Sequence, residues 1–142
     1  MIITEIDNFN LLTGLIIGEA ASEDFIGKLA VACVVRNRVH DVRWPDTYQG
    51  VILQPKQFSC FNDIPRDSNL EQKDINKYFR HYFQVVWWRE CRVAAHNVLY
   101  NWVNDFTKGA NHYYAYKLIN APGWAQDRGP VLKTTGHHFF KL

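Results

Sequence analysis

The chain has 142 residues, 47% of them apolar, enough for one domain over residues 1–142 with a core of its own. Its formal charge of +2, with Lys and Arg scattered rather than clustered, excludes the basic footprint of a nucleic-acid-binding protein. Aromatic residues make up 15% of the chain, more than a core of this size uses, so some of them are expected to line a groove.

The opening stretch MIITEIDNFN carries acids and has neither a basic start nor a cleavage site, so it does not read as a signal peptide. No apolar run approaches the length of a membrane span. The stretch DNFNLLTGLIIGEA predicts a helix capped by Asp7 or Asn8, with Leu12, Leu15, Ile16 and Glu19 on one stripe. A second helix is predicted over SEDFIGKLAVACVVRNRVH, with Ser22 as its N-cap and Glu23 and Asp24 favoured by the first-turn dipole. Ala30, Cys33, Val34 and Asn37 fall on its inner stripe, while Lys28, Arg36 and Arg38 are expected to reach solvent.

Pro45 ends that helix in a loop, and TYQGVILQ reads as a short third helix. The segment PKQFSCFNDIPRDSN is irregular, and helical character returns near Leu70. It is strongest in VVWWRECRVAAHNVLYNWV, where Trp87, Cys91, Ala94, Val98 and Trp102 form a stripe. The last forty residues change character: NDFTKGANHYYAYKL turns and then alternates, INAPGWAQDRGP is a loop, and VLKTTGHHFFKL reads as a final strand. A small sheet appended to a helical body is the expected architecture, α+β and mainly helical.

Glu19 stands out chemically. Beside Leu12, Leu15 and Ile16 it is partly desolvated, and a helix C-terminus repels negative charge. Both effects favour its protonated form, which a general acid for glycosidic cleavage requires. A bland alternative is a terminal Glu that is exposed or paired with Arg36 or Arg38. Glu23, one turn on, is a possible second carboxylate or simply the start of the next helix. Asn37 either braces a loop or orients a carboxylate or substrate. Gln57, Phe58 and Ser59, and the stretch GANHYYA with Tyr113 and Tyr114, combine polar groups with rings, a pairing suited to sugars. The six histidines lack metal-ligand spacing, so neither a metal nor another cofactor is expected. Cys33 and Cys91 fit reduced core thiols made in a reducing cytoplasm, and Cys60 has no obvious histidine partner for a Cys–His amidase or peptidase.

Taken in order, these blocks resemble the cell wall hydrolase family typified by the catalytic domain of spore cortex-lytic enzymes of the SleB type. The E-A-x-x-E pattern falls on Glu19, Ala20 and Glu23, and N-R-V on Asn37, Arg38 and Val39. A shortened Q-x-F-S-like block falls on Gln57, Phe58 and Ser59, and G-A-x-x-[YF] on Gly109, Ala110 and Tyr113. Trp124 follows, and the closing G-x-H-x-F falls on Gly136, His138 and Phe140, which makes His138 rather than His137 the matching histidine. Ser22 and Thr135 depart from the pattern, and residues 63–82 match nothing in it.

The resemblance implies a lysozyme-like fold and cleavage of the peptidoglycan glycan strand between N-acetylmuramic acid and N-acetylglucosamine. Glu19 takes the place of the catalytic acid, and a lytic transglycosylase, needing one carboxyl group, is favoured over a hydrolytic muramidase. Asn37, Gln57, Phe58, Ser59, Tyr113, Tyr114, Trp124 and His138 are then the residues expected to orient the acid or bind sugar. A non-catalytic glycan-binding module is the rival from another class. A monomeric bacteriophage endolysin is the expected setting, without membrane insertion, held in the host bacterial cytoplasm until a membrane-permeabilising protein releases it onto the wall.

Overall fold

The computed structural model describes residues 6–54, 57–58 and 88–142 of the chain. Ser59, Cys60, Trp87 and the helical start near Leu70 lie outside the described residues. Among the described residues there are four helices, α1 Asn8–Ala20, α2 Phe25–Val39, α3 Tyr48–Ile52 and α4 Trp88–Leu99. Three short strands follow, β1 His112–Tyr114, β2 Leu132–Lys133 and β3 His138–Phe140, with a 3-10 turn at Gly123–Ala125. The architecture is α+β and mainly helical.

Asp7 caps α1, its Oδ1 accepting from Asn10 N at 2.8 Å, which decides between the two predicted caps. Every residue from Leu11 to Ile17 is buried, so α1 is covered on all sides rather than along one stripe. The cap of α2 is Asp24, not Ser22: its extended backbone and the 2.9 Å bond from Gly27 N to its carboxylate fix the helix start at Phe25. Ser22 and Glu23 therefore precede the helix, and Glu23 is left to turn elsewhere.

From Gly27 to Arg36, α2 is also buried throughout. This overturns the expectation that Lys28, Arg36 and Arg38 reach solvent. Lys28 is fully buried and its Nζ lies 2.7 Å from Glu90 Oε2 on α4, which carries the charge to the surface. Arg36 directs Nη1 at the carbonyls of Val98 and Val103, at 3.2 and 2.8 Å, and so ties α2 to the end of α4. Arg38 donates to Asn111 O at 2.7 Å and to Gln57 Oε1 at 3.1 Å. A central helix cannot send these cations outward, so each finds its acceptors inside.

Helix α4 is amphipathic, burying Cys91, Ala94, Ala95 and Val98 against α1 and α2. It ends in a Schellman motif: Asn101 is left-handed, with φ 58°, and Trp102 N reaches Asn97 O at 2.8 Å. The chain turns away there, so Trp102 is 76% exposed and does not continue the predicted stripe. The C-terminal strand also differs from its expected form. VLKTTGHHFFKL folds into a β2–β3 hairpin, and the sheet order is β1-β3-β2, all antiparallel. Tyr113 pairs with Phe139, and Tyr114 with His138.

Candidate active site

The helix end and the sheet meet at Glu19. This residue is half-buried on the last turn of α1, and the Tyr113 side chain of β1 acts on its carboxyl group. Burial pushes Glu19 above its ordinary value of 4.5; the nearby His137 and the Tyr113 side chain pull the other way, and Glu23 adds a smaller upward push. The raising effects win, so the carboxyl group keeps its proton to higher pH than a solvated glutamate does. Arg36 and Arg38 are engaged elsewhere, which removes the bland pairing considered from the sequence.

Glu23 sits next to this centre. Its Oε2 lies 2.7 Å from His137 Nδ1, and its Oε1 accepts from the Thr134 hydroxyl at 3.3 Å. His137 is buried, and its ring meets Tyr113 edge-on with centroids 5.0 Å apart. The local cluster is thus Glu19, Glu23, Tyr113, Thr134 and His137, drawn from α1, the α1–α2 connection, β1 and the β2–β3 hairpin.

Strand parity separates the remaining aromatic residues. Successive side chains of a strand face opposite sides, so a shift of one residue changes face. Tyr113, His137 and Phe139 pack together toward the helices. Tyr114 instead contacts Trp124, His138 and Phe140, and His138 stacks on Tyr116 at 4.1 Å. Tyr114, Trp124 and His138 therefore lie on the face away from Glu19, and the histidine brought to the carboxylates is His137. On that outer face Trp44 and Trp124 flank His112, whose pKa falls to about 4 through burial and repulsion by Arg38 and Arg43.

Asn37 braces a loop. Its Nδ2 donates to Ala110 O at 2.9 Å, to Asp105 Oδ2 at 3.2 Å and to Thr107 Oγ1 at 3.3 Å, which fixes the approach to β1. Gln57 and Phe58 stand behind the site, Gln57 holding the Arg38 guanidinium and the Phe58 ring lying 5.4 Å from it. Burial lifts the thiols of Cys33 and Cys91 to about 11, which leaves both unsuited to nucleophilic attack at neutral pH. Among the described residues, no three His, Cys, Asp or Glu side chains converge as a metal site.

The sequence pattern does not single out His137 or Thr134. A signal for the first is present in the chain, since His137 directly follows Gly136 and precedes a second histidine.

This site belongs to a mainly helical fold with one half-buried carboxyl group at a helix end, supported from a small sheet. The cell wall hydrolase family model matches residues 22–141, and the chain belongs to that family. Glu23 lies inside the matched span, and Glu19 three residues before it. The chain is 27% identical to the spore cortex-lytic enzyme of Oceanobacillus iheyensis over 94% of its own length. It is 35% identical to that of Halalkalibacterium halodurans over the same share. It spans only 41% and 34% of those two proteins. The catalytic domain of SleB from Bacillus cereus has the same fold, with a TM-score of 0.69 at 24% identity, covering 94% of this chain and 89% of that one. The catalytic domain of the germination-specific lytic transglycosylase SleB from Bacillus anthracis matches at 0.67 and 23% identity, covering 94% and 93%.

Proposed function

We propose that residues 1–142 form one catalytic domain, a lytic transglycosylase that cleaves peptidoglycan between N-acetylmuramic acid and N-acetylglucosamine. The observation that carries this reading is the pair of environments at the site. Glu19 is held toward its protonated form, while Glu23 is already engaged by His137 and Thr134. One carboxyl group is thereby left to serve as both acid and base.

In this reaction the Glu19 carboxyl group gives its proton to the glycosidic oxygen as the bond to C1 of the muramic acid breaks. The carboxylate then takes the proton of the muramic acid 6-hydroxyl while that oxygen bonds to C1. The products are a free N-acetylglucosamine 4-hydroxyl and a 1,6-anhydro-muramic end, and Glu19 is protonated again. A hydrolase needs a second group to activate water or attack C1, at a separation that sets the stereochemistry. Glu23 is the nearby carboxylate, and its engagement with His137 argues against that task. The names of the relatives, spore cortex-lytic enzymes and a lytic transglycosylase, support the same substrate.

Digestion of purified peptidoglycan followed by mass measurement of the products tests the reading. Anhydro-muramic ends are expected, and they should vanish in Glu19→Gln. Reducing muramic ends would mean a muramidase, free stem peptides would sink glycosidic cleavage, and binding without any product would mean a glycan-binding module. A lytic role as an endolysin stored in the host cytoplasm belongs to the same proposal. Its support is the buried free thiols of Cys33 and Cys91, which fit a reducing compartment. Lysis from within that depends on a co-expressed membrane-permeabilising protein is its test.

A further inference from the structure

Glu23 is built into the protein more firmly than a residue flanking a helix requires. Its side chain is 10% exposed and that of its partner His137 is 5% exposed. Two glycines wall the carboxylate in. A Cβ on Gly136 would fall 2.5 Å from Glu23 Cδ, and one on Gly27 would fall 2.7 Å from Oε1. Thr134 adds a hydroxyl donor from the start of the hairpin turn. Burying such a pair seldom adds net stability over apolar packing, so stability alone does not account for it.

The geometry leads onward to the acid. The His137 ring stands perpendicular to that of Tyr113, at an interplanar angle of 90° and with centroids 5.0 Å apart, and Tyr113 in turn acts on Glu19. Among the described residues, the titratable groups that act on Glu19 are His137 and Tyr113 from the sheet and Glu23 from the α1–α2 connection. Those beside the pair are Glu19 and Tyr113, with Thr134 as a neutral donor.

We propose that Glu23 and His137 are positioning residues for Glu19, holding Tyr113 against its carboxyl group and balancing the charge beside it. The proposal rests on Glu19 being the acid. His137 and Glu23 act on the Glu19 carboxyl group in opposite directions, so removing His137 alone leaves the neighbour that disfavours ionisation of Glu19. Removing both takes away the opposed influences together.

The test compares His137→Gln, Glu23→Gln/His137→Gln and Glu19→Gln on purified peptidoglycan strands across pH, with a melting curve for each. The alkaline limb of kcat/KM should move up by roughly one pH unit in His137→Gln, with kcat falling more than KM changes. In the double variant the limb should return toward the wild-type position while kcat stays low. An unshifted limb in a folded His137→Gln protein overturns the proposal. So does loss of folding in both the single and the double variant, because the pair then serves the scaffold alone. Folding of the double variant where the single variant unfolds upholds the charge balance. Cleavage retained by Glu19→Gln would instead remove the underlying reading.

Discussion

Tyr113 and Tyr114 are neighbours in β1 and serve opposite faces of the sheet. Tyr113 meets His137, Phe139 and the Glu19 carboxyl group, while Tyr114 meets Trp124, His138 and Phe140. Tyr113→Phe removes the hydroxyl that acts on the Glu19 carboxyl group and is expected to lower kcat about 10- to 100-fold. That hydroxyl favours the ionised carboxylate, so its loss raises Glu19 further and moves the alkaline limb of the pH profile upward. Tyr114→Phe should leave both quantities near wild type. Steady-state kinetics on purified strands would remove Tyr113 from the site if Tyr113→Phe behaved as Tyr114→Phe.

Glu19 should cost the fold stability. Its carboxyl group has a higher pKa in the folded chain than in the unfolded one, mainly through burial. Between those two values the folded state binds more protons, so stability falls as pH rises through them. Glu19→Gln, which cannot ionise, should melt a few degrees higher than wild type at neutral pH. The gap should close below the ordinary glutamate value of 4.5. Equal melting temperatures across the whole pH range would contradict the burial of this carboxyl group.

Asn37→Ala should act on stability before activity. It takes three hydrogen bonds from the loop that delivers β1, a loss of about 2 kcal/mol. Asp105 in that loop is held below its ordinary 3.8, since hydrogen bonds from Thr107, Gly109 and Asn37 outweigh the opposing effect of burial. Its contribution is present above 3.8 and lost as pH falls through the lower folded value. Urea melts at pH 7 and pH 2.5 should therefore show a smaller gap between wild type and Asn37→Ala in acid. An activity lost without any change in these melts would assign Asn37 to the substrate instead.

Gly136→Ala places a methyl group on the Glu23 carboxylate and is expected to destabilise by about 1–3 kcal/mol. Cleavage should fall with it, because Glu23 must leave His137. The substitution at Gly129, where an added Cβ meets nothing within 4 Å, serves as the control. Matched melting temperatures for the two variants would mean that the carboxylate pocket is looser than the contacts indicate.

The helices, and a carboxyl group at the end of the first, are legible in the sequence for a clear reason. Capping by Asp7, the apolar run from Leu11 to Ile17 and the closing Glu19 are all local signals. What surrounds each helix is not local. Lys28 and Arg36 look solvated on a helical wheel, and only the docking of α4 against α2 shows that they are enclosed. That His137 rather than His138 lies beside the carboxylates is hidden in the sequence for a related reason. Phe139 and Phe140 are both buried, so the hydrophobic pattern of β3 does not say which side faces the helices. The sequence leaves Glu23 open between a second carboxylate and a helix start because its partners, Thr134 and His137, lie more than a hundred residues away.

Thr134 accepts from His137 N at 3.2 Å, its backbone N reaches His137 O at 2.9 Å, and its hydroxyl also serves Glu23. Residues 117–121, by contrast, are all exposed. Length variation among homologous chains has room in that second stretch and none between Thr134 and His137. An affinity peptide inserted after Leu118 should leave the enzyme working, whereas a single residue added after Thr135 would exchange the histidine at the carboxylates for a different side chain.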